Sequence, residues 1–116
     1  MKPPDSTPPL SSATLYILLA LASQDLHGYG IIQDVARQSG GSYRLGPGTL
    51  YDNLKKLMDR GLVVDAPTAA VPEDETRRLY HLTSDGRALL SAEIARLESI
   101  TRDARTRLGS PRPRRA

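Results

Sequence analysis

The chain has 116 residues and a mass of 12.6 kDa, which leaves room for one domain and excludes a multi-domain enzyme. Its 39% hydrophobic content, with five Tyr as the only aromatics, suits a small helical core that would gain from packing against a second copy. The absence of Cys removes disulfides, thiol catalysis, Cys-type zinc sites and iron-sulfur clusters; the net charge of +3 is a tail property, +5 from residue 102 onward against −2 over residues 1–101.

Residues 1–10 carry four prolines and little that is apolar, and are expected to form a disordered arm. Ser11 or Ser12 can cap a first helix running to about Ser23, with Leu15, Leu18, Leu19 and Ala22 at helical spacing. Ile17, Ala20 and Leu21 make that helix apolar nearly all round, so it calls for cover on more than one side. Its apolar stretch, Leu15 to Ala22, falls far short of the ~20 residues that span a membrane, and no signal-peptide pattern precedes it. A cytoplasmic protein without a membrane partner is the expectation.

The run His27-Gly28-Tyr29-Gly30 then punctuates the chain before a short second helix marked by Ile31, Ile32, Val35 and Ala36, which ends near Gly40 and Gly41. Pro47 suits the first position of a third helix, where Leu50, Leu54, Leu57 and Met58 define the buried side and Gly61 the stop. Leu62–Ala66 and Arg78–Leu82 look extended and are joined by a loop carrying Glu73, Asp74 and Glu75, which reads as a hairpin. Thr83 can cap a long last helix over residues 84–108. Along it Leu90, Ile94, Leu97, Thr101, Ala104 and Leu108 recur at the alternating spacing of a two-helix coiled-coil seam. Residues 109–116 are a basic tail. The order predicts a mainly α (α+β) fold: a winged helix-turn-helix over residues 11–83, with a two-stranded wing and a long C-terminal helix for association.

Advancing 100° per residue from Leu50 turns Thr49, Asp52, Lys55, Lys56 and Asp59 away from the core. On a major-groove reading Thr49 and Asn53 are short enough to reach base edges, and Lys55 and Lys56 can neutralise phosphates. Tyr51 sits at the margin, where its ring packs and its hydroxyl can reach a phosphate. Arg77 and Arg78, where the hairpin returns from its loop, are placed for a wing contact with the DNA backbone or minor groove, and the neighbouring acidic triplet is positioned to hold them in ion pairs without DNA. Arg44, in the turn before the third helix, is a further candidate. The bland alternative is a solvated amphipathic helix beside a surface strand with ordinary charges.

His27-Gly28-Tyr29-Gly30-Ile31, the run from Gly48 to Leu57 followed by Gly61-Leu62-Val63, and Arg77-Arg78-Leu79-Tyr80-His81-Leu82-Thr83 with Gly86 together resemble the PadR family of bacterial transcriptional regulators, in its short subfamily with a single C-terminal helix. The resemblance implies a homodimeric repressor of an inverted-repeat operator, with Thr49, Tyr51, Lys55, Lys56, Arg77 and Arg78 on the double-stranded DNA. It also implies dimer contacts from the first and last helices, here Leu15 and Leu19 with Leu90, Ile94, Leu97, Thr101 and Ala104. Asp52 stands where the family commonly has Pro; an acid there disfavours a phosphate or accepts a hydrogen bond from cytosine.

The resemblance further implies release from DNA by a small-molecule effector, for which Tyr16 is the single aromatic placed near a central cleft. No cofactor is expected. A metal site or catalytic base is not expected from His27 and His81, which lie far apart without a nearby carboxylate motif, and His27 reads as a capping or packing residue. The reading is of a non-enzymatic DNA-binding regulator. The competing one is a winged helix that docks a protein partner through the same surface, kept open by the weak charge of residues 1–101.

Overall fold

A computed structural model of the chain describes residues 9–67 and 78–109. The expected basic tail beyond Gly109, the acidic triplet and Arg77 lie outside the described residues. Four helices and one hairpin follow in the order α1 (Ser12–Ala22), α2 (Gly28–Gln38), α3 (Pro47–Asp59), β1 (Val63–Pro67), β2 (Arg78–Leu82) and α4 (Ser84–Leu108). This is a winged helix-turn-helix with one long C-terminal helix.

Local chemistry sets each boundary. Ser11 caps α1 by accepting from the Thr14 N–H at 3.1 Å. Pro47 opens α3 in its first turn, where a missing N–H costs nothing. Gly61 closes it at φ +73°, a left-handed position that lets the Leu62 N–H reach back to the Leu57 carbonyl at 2.9 Å. The second helix starts earlier than its apolar residues suggest, at Gly28. Gly28 and Gly30 are helical, not punctuation; a methyl at position 28 would collide with the Tyr51 hydroxyl of α3, so glycine serves close packing between helices. Leu10, expected in the disordered arm, packs against the core and donates its N–H to Glu93 of α4 at 3.3 Å.

The two strands pair antiparallel from Val63 opposite Leu82 to Pro67 opposite Arg78, displaced by one residue from the expected first strand. On the far edge of β2, Leu26 exchanges both backbone hydrogen bonds with Tyr80, at 2.9 and 3.3 Å. The segment between α1 and α2 thereby acts as a one-residue third strand and anchors the wing to the helical body. Ile17, Leu18, Leu21, Ile31, Val35, Leu50, Leu54, Val63 and Leu82 form the fully buried core shared by the three short helices and the sheet.

The exit of α3 and the entry of α4 are fastened together. Thr83 accepts from the Gly86 N–H at 3.0 Å as the cap of α4 and donates its hydroxyl to the Gly61 carbonyl at 2.8 Å. Its own N–H reaches the Leu62 carbonyl at 3.1 Å. Gly86 is buried against this joint, where a Cβ would overlap the Leu62 carbonyl oxygen and the Leu82 side chain. Further along, Glu93 is 4% exposed, and Arg96 grips its carboxylate through two hydrogen bonds of 2.9 and 2.7 Å. That Arg96 contact, joined by the Leu10 N–H, outweighs the cost of burial and holds the Glu93 carboxyl below its ordinary value.

Candidate nucleic-acid interface

α3 buries Leu50, Leu54 and Leu57 against α1, α2 and the sheet, which forces its remaining face outward. Thr49, Asp52, Lys55, Lys56 and Asp59 are all exposed on it. Lys56 pairs with Asp52 one turn back at 3.4 Å, a surface contact with both side chains largely in solvent. The four charges of this face cancel. Its basic character depends on neighbours, not on the helix alone.

One neighbour is the hairpin. Tyr51, Lys55, Asp65 and Arg78 border a single cleft of about 360 Å³ between α3 and the wing, with Leu54, Met58 and Tyr80 behind them. Tyr51 is 39% exposed, packed by its ring near Gly28 and open at one edge. Arg78 is held across the hairpin by Asp65 in an ion pair. Among the described residues Asp65, on the opposite strand, is the acid that meets it, while the acidic triplet lies outside them. Arg44 is exposed in the turn before α3.

Asn53 departs from the outward set. Three residues from Leu50, it swings back to 60° from the core direction, half-buried against α1. Its Oδ1 accepts from the Thr14 hydroxyl at 2.9 Å and its Nδ2 donates to the Thr49 carbonyl at 2.9 Å. Both ends of the amide are engaged within the chain, so it holds α3 against α1 and does not reach outward to a base edge. With Ser11 donating to the Thr14 hydroxyl at 3.0 Å, the bonds run in series from the α1 cap to the first turn of α3.

Other residues were not legible as site elements. Tyr29 is 70% exposed in the first turn of α2, beside the Gly28 that packs on Tyr51. His27 takes the cap position of α2 without a side-chain cap bond, and its Nδ1 donates to the Arg78 carbonyl at 3.1 Å, fastening helix to wing. His81 does have a carboxylate partner: the fold brings its Nδ1 within 2.8 Å of Asp25 Oδ1. The pair is half-exposed, and the described residues hold no cluster of three or more His, Cys, Asp or Glu suited to a metal.

The expected association residues divide. Leu90 is 6% exposed inside the chain's own core, so α1 and α4 take up that seam position within one chain. Leu15, Leu19 and Ile94 pack against the core while remaining half-exposed; Leu97 is half-exposed and Thr101 exposed. Ile94, Leu97 and Thr101 line an open groove along α4; Ala104 continues it half-exposed, and Ile100 and Leu108 are 50% and 80% exposed nearby. Tyr16 stacks on Tyr43 of the turn before α3, ring centres 5.1 Å apart, and so bridges α1 to that turn. No helix among the described residues is long and apolar enough to cross a membrane.

Residues 17–92 match the model of the transcriptional regulator PadR-like family. The chain is 34% identical over 93 residues to the transcriptional regulator Rv3488 of Mycobacterium tuberculosis, across 80% of this chain and 82% of that protein. Among solved structures it is similar to Bordetella bronchiseptica BpsR, whose DNA binding is regulated by 6-hydroxynicotinic acid (TM-score 0.66, 26% identity, 96% of this chain and 73% of that one). It is also similar in fold to Bacillus subtilis PadR in complex with operator DNA (TM-score 0.64, 23% identity), where it matches over 91% of its own length and 53% of the other chain.

Proposed function

Since the chain belongs to the PadR-like family of transcriptional regulators, we propose that it acts in the cytoplasm as a homodimeric repressor, which grips an inverted-repeat operator with α3 and the wing. The observation that carries this reading is the cleft between α3 and the hairpin. There Tyr51, Lys55 and Arg78 converge from two elements beside the exposed Thr49 and Lys56, so one protomer presents a helix to the major groove and a cation to the adjoining backbone. Thr49 is the residue suited to a base edge; Tyr51, Lys55, Lys56 and Arg78 act on phosphates, with Arg44 at the approach. Arg78 exchanges Asp65 for phosphate on binding. The Bacillus subtilis PadR complex with operator DNA supports the same use of the fold.

Two copies join through the half-exposed apolar row of Ile94, Leu97 and Ala104 on α4 together with Leu15 and Leu19 of α1. The pairing is isologous, and its two-fold axis matches an operator with two half-sites about one helical turn apart. A small-molecule effector releases the DNA by preferring a dimer whose α3 helices are misplaced, as equal affinity for both geometries would shift nothing. BpsR, with DNA binding regulated by 6-hydroxynicotinic acid, supports control of this kind.

The test is a salt titration of operator binding by the intact chain and by Lys55→Ala/Lys56→Ala. Two lysines per protomer give four phosphates for a dimer, so the log–log salt slope should flatten by about 3 to 4 at ~0.9 per phosphate. The cancelled charge of the α3 face favours a second reading, a module that docks a protein partner. In that case the intact chain binds operator weakly and without a steep slope.

A further inference from the structure

A second concave surface lies on the other flank of α3 from the wing, between the start of α1 and the C-terminal half of the recognition helix, with a volume of about 460 Å³. We infer that this pocket binds a small apolar molecule carrying one anionic group, and that its occupant competes with DNA for Lys56. The site needs no DNA-binding premise; the competition rests on the reading above.

The walls are apolar and fixed. Leu57 is 3% exposed and belongs to the core, and Leu10 is tied down by its N–H to the buried Glu93 carboxylate, itself clamped by Arg96. The floor contains the Thr14–Asn53 hydrogen bond, and both Asn53 amide groups already have partners, so it favours an apolar body. The rim supplies the charge: Arg60 has no ion-pair partner among the described residues, and Lys56 beside it is held on the outward face only by its solvent-exposed pair with Asp52. Volume, apolar walls and a few convergent polar groups together are the makeup of a small-molecule site.

Lys56 stands on the edge shared by the pocket and the outward face of α3. One ammonium drawn to a pocket anion is lost to a phosphate, and the reverse. A second route runs through the floor, as Asn53 donates to the Thr49 carbonyl in the turn that presents Thr49 outward. The expected effector residue Tyr16 is not in this pocket; it is occupied with Tyr43.

The probe is 1-naphthoate, with the uncharged 1-naphthalenemethanol as its counterpart, titrated into the full-length protein and followed by amide NMR. Naphthoate should shift the amides of Leu10, Thr14, Asn53 and Leu57. The alcohol and the Arg60→Gln variant should each weaken that binding roughly fivefold to tenfold, the loss of one charge-assisted contact. Saturating naphthoate should weaken operator binding by about tenfold for the intact chain, and by much less for Arg60→Gln at the same concentration. Shifts confined to Ile94, Leu97 and Thr101, no binding at millimolar naphthoate, or equal binding of acid and alcohol would overturn the site. Undiminished operator binding with the pocket filled would overturn the competition. A chain that ignores operator altogether sinks the DNA reading, while the NMR titration still decides the pocket.

Discussion

Replacing Asp52 with Asn should strengthen DNA binding. In the free protein Asp52 holds Lys56 at 3.4 Å on a face whose four charges cancel. Breaking an exposed i,i+4 pair costs about 0.3 to 0.5 kcal/mol, and a dimer that hands both lysines to phosphates would regain roughly 0.6 to 1 kcal/mol if the pair were already gone. Each carboxylate also repels a phosphate at about 7 Å by roughly 0.6 kcal/mol in water, reduced to about 0.25 by screening over a Debye length of ~8 Å. The total is about 1 to 1.5 kcal/mol, or roughly fivefold to tenfold tighter binding at physiological salt. Fluorescence anisotropy on operator and on a scrambled duplex measures it, and the gain should appear on both. An unchanged affinity would refute the placement of Asp52 beside the backbone. A loss confined to the operator would show that the carboxylate reads a cytosine.

Three further outcomes follow from the packing. Gly86→Ala should destabilise the fold by about 2 kcal/mol in urea unfolding: the ~1 kcal/mol helix preference for Ala is outweighed by overpacking on the Leu62 carbonyl and strain in the Thr83–Leu62 hydrogen bond. A neutral or stabilising result would contradict the close approach. Ile94→Glu with Leu97→Glu should yield monomers by analytical ultracentrifugation and remove tight operator binding, and a persisting dimer would place the association surface elsewhere. Glu93→Gln should lower stability at neutral pH, where the Arg96-lowered carboxyl is ionised; the contribution is complete above about 4.5 and is lost as the pH falls through the lowered folded value. The gap between the two proteins should therefore close in acid, and a gap constant from pH 7 to pH 3 would assign the effect to shape alone.

Helix existence and caps were legible because they are local. Ser11, Pro47, Gly61 and Thr83 each act on backbone within four residues, and the apolar spacing of α3 marks its buried side without help from the rest of the chain. The outward placement of Thr49, Lys55 and Lys56 follows from the same arithmetic. What escaped the sequence is held by pairs distant along it. Thr14 captures Asn53 from 39 residues away, Asp65 reaches Arg78 across the hairpin, and Asp25 meets His81 over 56 positions. Glu93 shows the same limit: its charge argues for solvent, and only the meeting of Leu10 with α4 makes burial tolerable. The glycines near His27 misled for a related reason, because a gap left for the Tyr51 hydroxyl looks in sequence like a turn.

The fastening of Gly61 and Leu62 to Thr83 and Gly86 makes α3 and α4 behave as two arms welded at an elbow. α4 extends about 37 Å at 1.5 Å per residue, so a swing of about 5° where two such arms cross displaces a point 20 Å away by roughly 2 Å. In the proposed dimer the α3 helices would then open and close like the jaws of a caliper set by the long stems. Control of the kind proposed would need no melting of the winged helix-turn-helix, only a small change of angle far from the bases.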